Sequence, residues 1–297
     1  MPLIFMKHFK SLLVLSTLLI LSILLFTGCK KNKQEILDTI VSAEDNSTIE
    51  NEFTSLFDLG DDFSTNDRRT RAGSTILPSG VVVTFTDSSF TDGDGVECSI
   101  DFGPLKTSAP KGGFCQDGRF RAGKLHLTLS KRYALDSAVL SISANDSDNY
   151  YAGNDGYNMT QLSGTINITR LSQSSVKIDV SNAKAKNDRG TVYWQSSRVI
   201  TKTLDNGPGI LGDQFEVTGS ASGTNRNNEA FTVTIDEALL KKVEMGCART
   251  FVKGKITLTN TSSGKTIKID YDPYNNQNCD LVAKATINGK EYFYSVR

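Results

Sequence analysis

The sequence predicts an all-β fold, an antiparallel sandwich or stacked sheets, with one short amphipathic helix on a tether ahead of it. Three observations carry that expectation. Segments that alternate apolar and polar residues recur at near-regular spacing from Val81 to Val296. Turn dipeptides separate them, namely Asp117-Gly118, Asn206-Gly207 (with Pro208 next), Ser263-Gly264 and Asn288-Gly289. A single stretch near the N-terminus keeps a helical period instead.

Taken in order, the first 28 residues read as a signal peptide. Lys7 and Lys10 precede an apolar run from Ser11 to Phe26, shorter than the roughly 20 residues a spanning helix needs. Phe26-Thr27-Gly28-Cys29 places small residues before a cysteine and resembles a bacterial lipobox, which implies cleavage before Cys29 and acylation there. Acyl chains contribute about 0.8 kcal/mol per buried CH₂, so several of them hold a protein on a membrane. Residues 29–73 then form a lipidated tether. Within it, Ile49, Phe53, Leu56 and Phe57 share a helical stripe, with Ser47 as N-cap and Gly60 as stop. Glu50, Glu52 and Asp58 make the remaining face acidic, so the apolar stripe is expected to dock on the following domain rather than on anionic lipid.

The β domain runs over 74–297, with two related units divided near residue 205 as an option. Strands are expected at Val81–Thr86, Lys124–Leu129, Val139–Ile142, Thr165–Ile168, Val176–Val180 and Val192–Thr203. They continue at Phe215–Ser222, Phe231–Ile235, Lys255–Thr259, Thr266–Tyr271, Val282–Ile287 and Glu291–Val296. Asp236–Val243, with Leu239 and Leu240 ahead of Lys241 and Lys242, reads as a helical interruption. Ile100-Asp101-Phe102 with a trailing Cys115 is echoed by Ile269-Asp270-Tyr271 with a trailing Cys279, as if two related strand-and-loop units stood near the ends of the domain.

Charge and residue counts limit the function classes. Removing the signal leaves 31 Lys/Arg against 33 Asp/Glu, which argues against a nucleic-acid partner, since phosphate backbones demand a basic surface. His126 is the one histidine left, on the polar side of its strand. The four cysteines Cys98, Cys115, Cys247 and Cys279 fit two disulfides in an exported protein, with Cys98–Cys115 and Cys247–Cys279 favoured among three connectivities. Asp87, Asp92, Asp94 and Glu97 offer oxygen ligands of the kind calcium takes, without EF-hand spacing. Arg119, Arg121 and Lys124 cluster beside Phe120 as an anion or sugar contact, and Trp194 is a stacking surface. No nucleophile elbow, phosphate loop or dinucleotide fingerprint occurs.

The stretches Ile100–Gly103, Cys115–Lys124 and Thr218–Arg226, with the ending Ile269-Asp270-Tyr271, Cys279-Asp280 and Asn288-Gly289-Lys290, resemble a recurring signature of uncharacterised Bacteroidota envelope lipoproteins. Asp272-Pro273 departs from that pattern, where Gly is more usual. The resemblance implies an exported, all-β protein held at the envelope, with the outer membrane as the expected location and either face open. It brings no catalytic residues with it. The expected role is display of a non-catalytic β domain that binds a glycan or an envelope protein. A carboxylate-based glycan hydrolase and a purely structural envelope component are the alternatives.

Overall fold

The computed structural model describes residues 39–64, 76–78, 80–207, 212–244, 251–280 and 282–295. The expected signal segment, Cys29, residues 30–38 and 65–73 of the expected tether, Pro208 and Cys247 lie outside the described residues. Among the described residues, no helix is long and apolar enough to cross a membrane.

Among the described residues, one α-helix, α1 (residues 39–64), precedes sixteen strands. They are β1 (Val82–Asp87), β2 (Val96–Asp101), β3 (Gly113–Phe114), β4 (Phe120–Ala122), β5 (Lys124–Leu129), β6 (Val139–Ala144), β7 (Tyr151–Gly153) and β8 (Thr160–Arg170). The series continues with β9 (Ser175–Asn187), β10 (Gly190–Leu204), β11 (Gln214–Thr224), β12 (Ala230–Lys242), β13 (Lys253–Asn260), β14 (Lys265–Asp270), β15 (Val282–Ile287) and β16 (Lys290–Ser295). All belong to one antiparallel sheet, ordered β1-β2-β5-β6-β8 and then β9 through β16 in sequence. A side ribbon of β3, β4 and β7 joins it at β8. The predicted all-β class therefore holds, with every described strand in one sheet. Asn288 and Gly289 both take positive φ, +50° and +76°, between the paired residues Ile287 and Lys290, the two-residue turn that Asn-Gly favours.

Residues 236–243 are not a helix; 236–242 continue β12. Register slips against β13 between Ile235 and Glu237 and again between Glu237 and Leu240. Bulges break the strict alternation of a strand, so the neighbours Leu239 and Leu240 are both buried and imitate a helical pattern.

α1 is also longer than the expected Ser47–Gly60 segment. Ser47 lies inside it, and Gly60 is a helical residue pressed on Leu140 and Ile142 of β6 rather than a stop. The helix crosses the strands instead of following them. Its first turns hold the ends of β11 and β13, where Asn225 and Asn260 donate to Ser42 Oγ at 2.9 and 3.3 Å. Its last turn reaches β1, where Phe63 stacks on Phe85. At 1.5 Å per residue α1 is about 39 Å long, close to the ~43 Å that nine strand spacings occupy.

Two kinds of contact seat it. Ile49, Phe53, Leu56 and Leu59 are buried in the single large core that gathers residues from β2 to β13. Glu50 and Glu52, which the sequence places on an outward face, instead meet arginines, and so do Glu44 and Asp45. Glu44 and Asp45 hold Arg226, Glu50 holds Arg198 at 2.9 Å, and Glu52 holds Arg119. An arginine fork matches a carboxylate in geometry as well as charge, so these pairs fix the helix in rotation and register.

Among the described residues, Arg121 is the deepest cation, with its side chain fully buried. It donates to both Asp117 oxygens, at 2.9 and 2.6 Å, and to Ser55 O at 3.4 Å. Burial alone pushes the Asp117 carboxyl up; the guanidinium outweighs it and holds the group below its ordinary 3.8. Stability from this pair is thus complete above the ordinary value and lost as pH falls through the lower folded one. Asp45 works in the other sense, because burial lifts its carboxyl despite Arg226. Thermal melts between pH 7 and pH 3 should show a shallower loss in Asp117→Asn than in the parent chain; equal slopes would contradict this account.

The sequence echo has a physical basis. In both places an Asp ends a strand and its Oδ1 accepts from the N–H two residues on, Gly103 at 2.8 Å and Asp272 at 3.0 Å. The aromatic between them donates to a glycine carbonyl, Phe102 to Gly123 at 2.8 Å and Tyr271 to Gly254 at 3.0 Å. Those glycines have φ of +83° and +109°, and each is followed by a Lys that faces the Asp in register. The chain order is reversed between the two: Asp-aromatic comes before Gly-Lys in one corner and after it in the other.

Cys98 and Cys115 are free thiols, which corrects the expected bond between them. Cys98 points into the main core from β2, between Phe85 and Leu127, while Cys115 lies in the side ribbon with its Sγ 3.8 Å from Gly113 O. Burial pushes Cys98 up to about 12 and raises Cys115 as well, so both stay protonated and unreactive near neutrality. Cys279 is not among the free thiols, and its expected partner Cys247 lies outside the described residues.

Candidate functional site

With α1 on one face, the described residues leave the other face of the sheet open. Antiparallel sheets tolerate this because alternation puts polar residues there. A flat open face holds no pocket, so any concavity must come from irregular backbone. β8 loses register against β9 between Ser163 and Thr165, and β9 against β10 between Trp194 and Ser196. Gly164, at φ +131°, permits the first of these, since a Cβ there would come within 2.7 Å of Ala183 Cα. Bulges bend strands and increase local twist. The adjoining part of the open face is hollowed into a groove of about 920 Å³ that reaches from Ala144 at the end of β6 to Thr261 after β13.

The groove is lined by hydroxyls and amides, with one flat ring. Gln195 Nε2 donates to Ser222 Oγ at 3.0 Å, and Thr224 and Thr232 stand on the next strands. Its charged pair is Lys184 and Asp146, 2.6 Å apart, with Ser163 Oγ also donating to Asp146 at 2.7 Å. Lys184 foremost, then Ser163, hold the Asp146 carboxyl below its ordinary range. Tyr193 is 53% exposed among these groups, whereas its neighbour Trp194 is 4% exposed on the other face.

The residues expected to bind a ligand do not converge. Trp194 is a core residue: its Nε1 donates to Asn46 Oδ1 at 2.9 Å, and its ring packs on Phe53 with centroids 5.9 Å apart. Arg121 is enclosed with Asp117, so neither it nor Trp194 presents its functional group to a ligand. Arg119 is clasped by Glu52 and Asn154, while Lys124 extends toward Asp101 at 3.9 Å. The cations that looked like an anion site serve largely to seat α1. Tyr193 is the residue that sequence reading missed. Its signal was the alternation Val192, Trp194 against Tyr193, Gln195, which assigns one aromatic to each face.

Of the four acids considered for calcium, Asp87, Asp92 and Asp94 come together, with carboxylate oxygens within 4.8 Å of one another on an exposed loop. Glu97 is not in the group. A hydrogen bond shared with Asp92, foremost, lifts the Asp94 carboxyl, the response of acids that repel one another.

His126 has a partner that sequence could not place: its Nε2 lies 3.1 Å from Asp148 Oδ1, in the turn 146–148. Ser99 and Ser143 face it from the adjacent strands. A second concavity, a cleft of about 530 Å³ between α1 and the 153–160 loop, contains Glu52 and Asp155. A glycan hydrolase needs one carboxyl that keeps its proton. Asp155 is held the opposite way by the N–H groups of Asn158 and Tyr157 and by the Asn158 amide, and Glu52 is committed to Arg119.

Compared with known protein families, with curated proteins and with solved structures, the chain matches none.

Proposed function

We propose that this chain is an envelope lipoprotein, anchored through Cys29, that displays a non-catalytic β domain for binding a glycan or an envelope protein. The supporting observation is the division of labour between the two faces of the sheet. α1, which begins ten residues after Cys29, closes one face through carboxylate–arginine pairs and apolar packing. The other face carries the groove and its exposed ring. A helix fixed in this way transmits the position of the tether rigidly to the domain and leaves the opposite side free for a partner.

The anchor is tested by growing cells with radiolabelled palmitate and separating membrane from soluble fractions. Label on the parent chain is expected, with Cys29→Ser losing the label and leaving the membrane fraction. A Cys29→Ser chain that is sorted and retained like the parent would sink the reading. Cross-linking on intact cells and binding to a glycan array then separate a saccharide partner from a protein partner.

A further inference from the structure

We propose that the open-face groove takes an uncharged saccharide belonging to a glycoconjugate of the same membrane that holds the chain. This rests on the anchored-display reading and adds to it the ligand's chemistry and its place. The chemistry follows from the lining. Asp146 and Lys184 neutralise each other at 2.6 Å, and Gln195, Ser222 and Thr232 contribute amide and hydroxyl groups without net charge. Convergent neutral donors and acceptors around an exposed aromatic ring suit a ligand with hydroxyl edges and an apolar C–H face. Tyr193 supplies that ring.

The place follows from chain reach. Thr224 and Thr261 line the groove, and the residues beside them, Asn225 and Asn260, hold Ser42 in the first turns of α1. The groove and the start of α1 are therefore back to back across the sheet, about 10 Å apart. Nine residues separate Cys29 from Thr39, and nine residues reach at most about 32 Å. Counting the last peptide link as well, the near end of the groove lies within ~45 Å of the lipid surface. The seating of α1 gives the domain no freedom to move further out.

The test uses the full acylated chain in phosphatidylcholine vesicles that also carry photoreactive lactosyl, mannosyl or glucosyl lipids. Soluble neutral and uronic-acid oligosaccharides are assayed in parallel. Cross-links are expected on the β9 and β10 peptides around Tyr193 with at least one of the lipids. They should weaken by about tenfold in Tyr193→Ala, with the melting temperature unchanged because that side chain is half exposed. Binding of soluble neutral sugars with no cross-link to any of the three lipids would overturn the membrane source. Binding confined to uronic acids would overturn the uncharged class, and binding to no sugar would overturn the proposal outright. Mass spectrometry of Cys29 in the same sample separates the two readings. An acylated chain that fails to cross-link defeats only this inference, and an unacylated one defeats both.

Discussion

Trp194→Ala is expected to destabilise the domain by about 3–5 kcal/mol, the range for removing a large buried aromatic. The ring is 4% exposed and lies against Phe53 of α1, so its removal opens a cavity under the helix. It also strips Asn46 Oδ1 of its donor. Asn46 is itself buried, and its amide supports Glu50, which holds Arg198. A buried acceptor left alone costs about 1–3 kcal/mol, which puts the total toward the top of the buried-aromatic range, and the strain passes on to the next ion pair. Trp194→Phe should keep most of the packing and lose the hydrogen bond, at about 1–2 kcal/mol. Denaturant unfolding followed by circular dichroism measures both, since Trp194 is the chain's one tryptophan and fluorescence would vanish with it. Hydrogen exchange should show the amides of 42–53 losing protection first. If Trp194→Ala unfolds within about 1 kcal/mol of the parent, α1 is not seated as described.

Gly123→Ala is expected to prevent folding or to cost at least about 3 kcal/mol, while Gly118→Ala costs about 1 kcal/mol. The pair isolates one cause. Their φ values are nearly the same, +83° and +81°, so the left-handed penalty is shared. Their surroundings differ: a Cβ on Gly118 meets nothing within 4 Å, whereas on Gly123 it would lie 1.9 Å from Asn149 O. Backbone cannot yield as a side-chain tip can, and Gly123 also closes two hydrogen bonds of its corner with Phe102 and Gly103. Equal melting points for the two variants would mean that conformational preference, not space, sets the need for glycine there.

How much of this was legible follows from the kind of signal each part leaves. Strands with clean alternation were read well; β5 matches its expected bounds, and β9 to β11 extend theirs by one to seven residues at an end. β3, β4 and β7 have two or three residues each, too few for a period to register. β2 alternates Cys98 and Ile100 with Glu97, Ser99 and Asp101, a strand hidden by its small polar members. The first turns of α1 escaped because Thr39, Ser42, Asp45 and Asn46 are buried polar residues. Periodicity counts apolar side chains and cannot see a helix face buried through hydrogen bonds. The groove was illegible for a related reason. Bulges shape it from residues spread over 144–261, and register slips cannot be read from one sequence.

The two Asp-aromatic and Gly-Lys corners bear on the ancestry of the chain. A tandem copying event preserves the order of its parts, yet these two corners run in opposite directions along the polypeptide. Simple duplication of one gene segment therefore does not account for their likeness. What the two corners share is the local stereochemistry of a strand end, closed both times by the same handful of residues.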